Sequence, residues 1–502
     1  MFEIITAEQA ANIIKDNDCI CLNAFLLQAN PEALEIAIYE RYCKEKHPSN
    51  LTIMGVSGFG GFDDKRFAEP LIGSGAVNKI IASHFNTMPV ASNMIWNNKI
   101  EGYGIPLGVM SHTIRAKAGG HDSYISKVGL GIYVDPRIEG AGMNDISHDN
   151  YVDLLEINGS EYLSYHLPDI DVALFKATAV DPNGNISFNE EFVDADALSI
   201  AQATKASGGK VIVQVSKTSE TRLHPRDVVI PGILVDYVVV VPQPELEDLD
   251  RTMTGDKYVP TEELTYWADQ LITQKLRNTA EGDLSTDIIG KRAAQELHSG
   301  DVVNIGAGLP EHVGNCAADM GINNLTLTVE AGGIGGLPAP GKAFGATIGA
   351  DMLLPTPSQF DFYDGGGLDI CFMGALEVDQ YGNVNVHKRQ GRYMGIGGFA
   401  NITRATKNIV FCFTFRSHGL VAVRDELGVH IQQEGTITKV KKDIMSISFS
   451  AEQALYNGQK VLYVTERCVF ELVEGGLRLK EVYPGIDLHK DILDQLDFDL
   501  VE

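Results

Sequence analysis

No apolar run in this 502-residue chain reaches the roughly 18 residues that a membrane-spanning helix needs. Cysteine is sparse. The seven residues, Cys19, Cys21, Cys43, Cys316, Cys371, Cys412 and Cys468, include no Cys-x-x-Cys pair. An odd count without paired spacing argues against a disulfide framework or a zinc knuckle, so a reducing cytoplasm is expected. Positive charge is also short, with 40 Lys and Arg against 67 Asp and Glu and a net charge of −27. Such a surface repels phosphate backbones and anionic lipid, so neither nucleic acid nor a membrane is an expected partner. It leaves room for an anionic small molecule held by local dipoles. The first residues, MFEIITAEQAANIIKDND, carry acids where a secretory leader needs bases. Glycine is plentiful at 51 residues, but it follows no Gly-X-Y period and never forms the Gly-x-x-x-x-Gly-Lys-Ser/Thr phosphate loop.

What is present describes a folded α/β protein of more than one domain. Hydrophobic residues make up 44% and charged residues 21% of a chain too long for a single core. Short β-branched runs recur at Val211–Val215, Val238–Val241, Val302–Ile305, Ile409–Phe413 and Val461–Thr465, separated by helix-patterned stretches and glycine-rich turns. Strands alternating with helices predict a largely parallel sheet, doubly wound rather than closed into a barrel.

The chain also repeats itself. IDVALFKATAVDPNGN at 170–185 aligns without gaps on LDICFMGALEVDQYGN at 368–383, matching Asp171 to Asp369, Asp181 to Asp379, Gly184 to Gly382 and Asn185 to Asn383. Asn50-Leu51-Thr52 answers Asn324-Leu325-Thr326, and Pro231-Gly232-Ile233 answers Pro484-Gly485-Ile486. Three anchors in one order predict two related halves, 1–242 and 285–502, joined by an acidic, Pro-bearing linker or spanning segment at 243–284. Ser285 and Thr286 are good helix N-caps and open the second half. The first two anchors lie 121 residues apart in the first half and 45 in the second, so 76 extra residues are expected as an insertion near 76–165.

The sharpest segment is LTLTVEAGGIGGLPAPG at 325–341. An alternating strand runs into Glu330 and then meets Gly332, Gly333, Gly335 and Gly336. A carboxylate at the C-terminal edge of a strand stands where open α/β sheets bind ligands. The glycines admit a ligand to the backbone and leave amides free to donate. The anchored alignment places Val56 opposite Glu330, so one half alone carries the acid. The motif by itself reads more readily as a solvated strand end or a cap. Downstream, Gly395-Ile396-Gly397-Gly398 offers backbone donors for an oxyanion or, alternatively, an ordinary helix-entry turn. His387-Lys388-Arg389-Gln390-Gly391-Arg392 is a basic island that suits phosphates or a solvated hairpin.

The ordered set VEAGGIGG, SQFDFYDGGGLD, MGALEVDQYGNVNVHK, MGIGGFANI and PGIDLHKDIL resembles the class I coenzyme A-transferases. The nearest branch resembles the fused-chain short-chain acyl-CoA:acetate and propionate CoA-transferases, and the likeness covers nearly the whole chain. It implies two homologous Rossmann-like open-sheet halves, the CoA-transferase or NagB/RpiA-like fold. It implies that Glu330 attacks an acyl-CoA thioester, giving an acyl-glutamyl anhydride and then a glutamyl-CoA thioester that a free carboxylate resolves. Gly398 matches the family's backbone oxyanion donor. Leu107, in Tyr103-Gly104-Ile105-Pro106-Leu107-Gly108, stands where the family has a Gln donor, and a Leu side chain cannot donate. The glycine-rich turn usual after the first strand is replaced by Asn23-Ala24-Phe25-Leu26-Leu27-Gln28-Ala29-Asn30-Pro31.

The expected activity is CoA transfer between a short-chain acyl-CoA and a small carboxylate such as acetate or propionate. Gly332, Gly333, Gly335, Gly395 and Gly397 are expected to contact the substrate. Coenzyme A is a substrate, and no metal or tightly bound cofactor is expected. A cytoplasmic homo-oligomer, dimer or tetramer, is implied. Two rivals remain: an acyl-CoA hydrolase on the same site, and a non-catalytic CoA- or metabolite-binding protein.

Overall fold

The computed structural model describes residues 2–242, 283–339 and 345–502. The expected linker at 243–284 lies outside the described residues except for its last two.

Each half is built on a nine-stranded sheet. In the first, the strands run in the order Glu3–Ile4, Tyr237–Val240, Lys210–Thr218, Val172–Val180, Cys19–Leu22, Leu51–Gly55, Val77–Ala82 and Glu101–Gly104, every neighbour parallel. The short Ile186–Ser187 pairs antiparallel with Val172–Val180. In the second sheet, Thr326–Thr328, Val302–Ile305, Ile370–Met373, Asn408–Cys412 and Lys460–Val464 form a parallel centre. Antiparallel strands flank it on both sides. The central strands are covered on both faces, which is why they read as unbroken apolar runs. Every residue of Cys19–Leu22 and of Ile370–Met373 is buried.

Five strands occupy the same order in both sheets, and their anchor residues do the same work. Asp171 Oδ2 accepts the Cys19 amide at 2.8 Å, and Asp369 Oδ2 accepts the Val302 amide at 2.9 Å. Asp181 Oδ1 takes the amides of Asn183 and Asn185, and Asp379 Oδ1 takes those of Tyr381 and Asn383, two Asx turns of one design. Asn50 and Asn324 both enter their strands with left-handed backbones, φ 56° and 60°. The third anchor is not equivalent. Ile230, just before Pro231, bridges Ile186, and the matching bridge in the second half joins Val384 to Phe449. Pro484 lies beyond the last strand of its sheet, where its carbonyl accepts the Val429 amide at 2.7 Å. Pro-Gly-Ile is turn chemistry and recurs wherever a turn is needed.

Between the strands Leu51–Gly55 and Val172–Val180 the first half carries two additional parallel strands, the helix Leu107–Ala118, and a three-stranded antiparallel sheet of Tyr124–Ser126, Val152–Ile157 and Ser160–Tyr165. At the corresponding place the second half has short ribbons and the helix Thr356–Asp364. These two helices pack against each other across the halves, with Arg115 on Asp361 at 2.9 Å. The helix that opens the second half, Ser285–Ala294, is not capped by Ser285 or Thr286. Asp283 accepts both the Ser285 amide and its hydroxyl, at 3.0 and 2.8 Å.

The halves are sewn together by residues 393–398. Phe85 and Asn86 donate their amides to the Met394 carbonyl at 2.9 Å, Gly397 donates to Ser83 O at 2.9 Å, and Leu107 donates to Gly397 O at 2.9 Å. Gly395 sits at φ 81°, and a Cβ there would lie 2.5 Å from His84 Cα. The basic island is a hairpin, Lys388–Arg389 against Arg392–Tyr393, docked on the first half through Lys388 to Glu139 and Arg392 to Asn86 O. Among the described residues no helix is long and apolar enough to cross a membrane, and no cluster of three or more His, Cys, Asp and Glu side chains could hold a metal. All seven cysteines are free and only Cys43 is exposed.

Candidate active site

Glu330 lies two residues past the strand Thr326–Thr328, where the chain reverses: Val329 N donates to Gly333 O at 2.8 Å and Gly332 N to Val329 O at 2.9 Å. The turn aims the carboxylate at the seam between the halves. There the Gly398 amide donates to Glu330 Oε2 at 3.1 Å. A Cβ on Gly398 would stand 2.7 Å from both Cδ and Oε2 of Glu330, so only glycine lets the carboxyl carbon come this close. Burial pushes the Glu330 carboxyl up to about 7, against the opposing pull of the Gly398 amide. A partial opening to the cavity leaves it reachable.

That cavity is about 350 Å³ and runs between the halves. Its first-half wall carries Phe25, Leu26, Ser57, His84 and Leu107. Its second-half wall includes Met373, Leu376, Val386, Phe413 and Lys439, with Glu330 and the loop Gly395–Phe399 between them. Of the residues flagged in the altered N-terminal turn, Phe25 and Leu26 line the cavity, whereas Leu27 packs half-buried against the core. The turn keeps a glycine-like backbone without glycine. Leu26 has φ 55° and Ala29 φ 59°, and Asn30 Nδ2 donates to Leu26 O at 2.8 Å. Leu107, 1% exposed, begins its helix with its amide taken by Gly397, so it offers the cavity only hydrocarbon.

The glycines after Glu330 do a different job from the one expected. The amides of Gly332 and Gly335 are consumed by Val329 O and Leu327 O, both at 2.9 Å. A Cβ at Gly332 would come 1.8 Å from Leu354 O, and one at Gly333 would come 1.9 Å from Thr347 Oγ1. These residues are small because a ribbon of their own half packs on them, and none of Gly332, Gly333 and Gly335 lines the cavity. Gly395 and Gly397 do line it, yet their amides are taken by His387 O and Ser83 O. Within that loop Gly398 alone turns its amide toward Glu330. At Val56, the position opposite Glu330 in the repeat, the backbone carbonyl accepts Ser83 Oγ at 2.7 Å and the side chain is core.

Three polar residues of the cavity escaped the sequence reading: Ser57, His84 and Lys439. Burial holds the His84 imidazole down to about 4, with Arg392 adding to the effect, so the ring is neutral at physiological pH. Lys439 Nζ donates to Ala375 O at 3.0 Å, and burial lowers its ammonium to about 8 despite Glu466 nearby. His84 had a usable signal, since Ser83-His84 is a polar pair directly after the strand Val77–Ala82, at the edge where open sheets bind ligands.

The model of the coenzyme A transferase family matches residues 4–241 and 286–490. The chain belongs to this family. The transferase is 38% identical to the acetate CoA-transferase YdiF of Escherichia coli K12 over 99% of its own length and 92% of that protein. It is 37% identical to a caffeate CoA-transferase of Acetobacterium woodii, over 99% of this chain and 94% of that one. Two solved structures of acyl-CoA transferase from E. coli O157:H7, the apoenzyme and a thioester complex with CoA, match with TM-scores of 0.90 and 0.88. Each is 36% identical and covers 100% of this chain and 93% of its own. Transfer of CoA is therefore the activity of this enzyme, and the purely binding reading falls away.

Proposed function

We propose that this enzyme moves CoA between a short-chain acyl-CoA and a small carboxylate such as acetate or propionate, with Glu330 as the covalent nucleophile. The observation that carries the reading is the 3.1 Å contact between the Gly398 amide and the Glu330 carboxylate, at the mouth of an apolar cavity. An oxygen of Glu330 adds to the thioester carbonyl carbon, and the carbonyl electron pair moves onto its oxygen. Collapse expels CoA thiolate and leaves a mixed anhydride. The thiolate then adds to the glutamyl carbonyl, the donor's acid leaves as carboxylate, and a glutamyl-CoA thioester remains. An incoming carboxylate runs the same steps backwards. No proton, metal or nucleotide is consumed, since one thioester replaces another. A carboxylate is a weak nucleophile, so desolvation, positioning and the Gly398 donor supply the acceleration.

The test is direct. Acetyl-CoA without acceptor should add CoA, less one water, to the peptide carrying Glu330, and Glu330→Gln should carry no adduct and lose turnover by about 10⁴-fold or more, the order for deleting a covalent nucleophile. An adduct on another residue would falsify the assignment. Release of free CoA at the same rate with and without acetate would instead make the enzyme a hydrolase. The acidic surface and the free cysteines support a cytoplasmic setting, and a homo-oligomer is the assembly we infer. Cell fractionation and light scattering test these two points.

A further inference from the structure

Gly398 serves the glutamyl carbonyl, but the reaction builds negative charge on a second oxygen as well: the carbonyl of the acyl group under attack. Resting on the mechanism above, that oxygen needs a donor from the wall facing Glu330. Two of the backbone amides beside this wall are already committed. Leu107 N is bonded to Gly397 O, and Gly397 N to Ser83 O, both at 2.9 Å. The Leu107 side chain has no donor. Among the residues lining the cavity, the side-chain donors are Ser57, His84 and Lys439.

Lys439 lies on Glu330's own half rather than on the wall facing it, with its ammonium donating to Ala375 O at 3.0 Å. His84 is placed otherwise. Its backbone pairs with Gly395 in an antiparallel bridge, three residues from the Gly398 amide, so both are held by one piece of sheet. Its ring packs beside Gly58, where a Cβ would come 3.3 Å from Cδ2, and the ring nitrogens take no hydrogen bond from any described residue. A polar ring in a cavity wall with no hydrogen-bond partner among the described residues is in position to hydrogen-bond to what enters the cavity.

We propose that His84 is a catalytic residue whose ring N–H donates to the oxygen of the acyl carbonyl as Glu330 attacks it, forming with Gly398 a two-oxygen clamp drawn from opposite halves. The ring acts as a neutral donor. It transfers no proton, the pair displaced from the carbonyl returns when thiolate leaves, and the imidazole is unchanged at the end. Burial keeps the ring in this form, and Arg392 is the charged neighbour that adds to the effect.

The test compares His84→Leu, His84→Asn and His84→Gln with the wild type, all as full chains. His84→Leu should lower kcat by 10²–10³-fold, the order for one oxyanion donor, with KM for acetyl-CoA within about threefold. One of the two amide variants should recover at least tenfold of that loss, with a pH–rate profile of wild-type shape. A neutral donor predicts this, whereas a proton-transferring histidine predicts loss of one limb of the profile. Should His84→Leu fold poorly, the second readout is the infrared carbonyl stretch of ¹³C-labelled acetyl-CoA bound to Glu330→Gln. Adding His84→Asn or His84→Gln should shift that band without displacing the ligand. Undiminished turnover in a folded His84→Leu, loss of a pH limb, or an unmoved carbonyl band each overturns the proposal. If wild-type enzyme acquires no CoA on Glu330, the parent mechanism fails instead. If both wild type and His84→Leu load at one rate, only the role of His84 fails.

Discussion

The two halves run the same five parallel strands in the same order, yet one strand end carries a carboxylate into a cavity and its counterpart became core. In the second half the strand Thr326–Thr328 ends in a turn that carries Glu330 into the interdomain cavity. In the first half the strand Leu51–Gly55 ends at Val56, buried and used only through its carbonyl. The surroundings diverged to match. The second half supplies the carboxylate and the Gly398 amide, and the first supplies hydrocarbon and a neutral imidazole. A duplicated scaffold thus keeps one carboxylate and turns the other copy into its wall, so that in the proposed mechanism desolvation and attack come from separate elements.

Four changes bear on that division of labour. The largest effect is expected at the donor. Gly398→Ala puts a methyl 2.7 Å from the Glu330 carboxyl carbon, and turnover should fall by about 10²–10³-fold with the fold intact. Steady-state kinetics with circular dichroism as control checks this, and normal turnover would remove Gly398 from the site. Next is the wall. Leu107→Gln gives the first half a donor beside His84, so kcat/KM for acetate should rise relative to a longer acid by roughly tenfold, at a cost in stability of about 1–3 kcal/mol if the amide is left unpaired. Unchanged ratios would place Leu107 outside the acyl pocket.

The third change separates the halves by pH. The Glu330 carboxyl titrates near 7 rather than at its ordinary value of 4.5, so stability from this group is fully present below about 4.5 and is lost as pH rises through 7. Glu330→Gln should therefore melt higher than wild type at pH 8, by an amount on the order of 1–2 kcal/mol after allowing for the opening to the cavity, and equally at pH 4.5. The same ionisation gives turnover an acidic limb near pH 7, because the protonated acid is no nucleophile. No corresponding pH effect is expected from Val56→Thr in the matching position. The smallest effect concerns the turn that shapes the wall: Ala29→Gly relieves a left-handed backbone at φ 59° and should stabilise by up to about 1 kcal/mol, read by denaturant titration.

Much of this division could be read from residues. The buried strands were legible because parallel sheets demand continuous apolar runs, and Glu330 was legible because an acid at a strand end followed by glycines is an unusual use of that edge. One repeat anchor held because its Asp residues accept specific backbone amides, and another because Asn tolerates the left-handed backbone through which both strands are entered. Pro-Gly-Ile failed because it encodes only a bend. The glycines at 332–335 misled for a physical reason. Positive φ and tight packing against residues 347–354 select the same residue as a ligand cradle does, and sequence alone does not separate the two. His84 and Lys439 stayed hidden because they meet Glu330's cavity through loops 246 and 109 residues away in the chain, a convergence that only the folded halves create.

The stitching of residues 394–397 to Ser83, Phe85, Asn86 and Leu107 has a consequence for when the enzyme becomes competent. Glu330 and Gly398 both belong to the second half, but the loop that presents Gly398 is held in shape by backbone bonds from the first. The second half alone therefore owns every atom of the carboxylate and of the amide that donates to it without owning their arrangement. Docking of the halves sets the dipole in place before any substrate arrives, and the reorganisation that water would demand at each turnover is settled once, during folding.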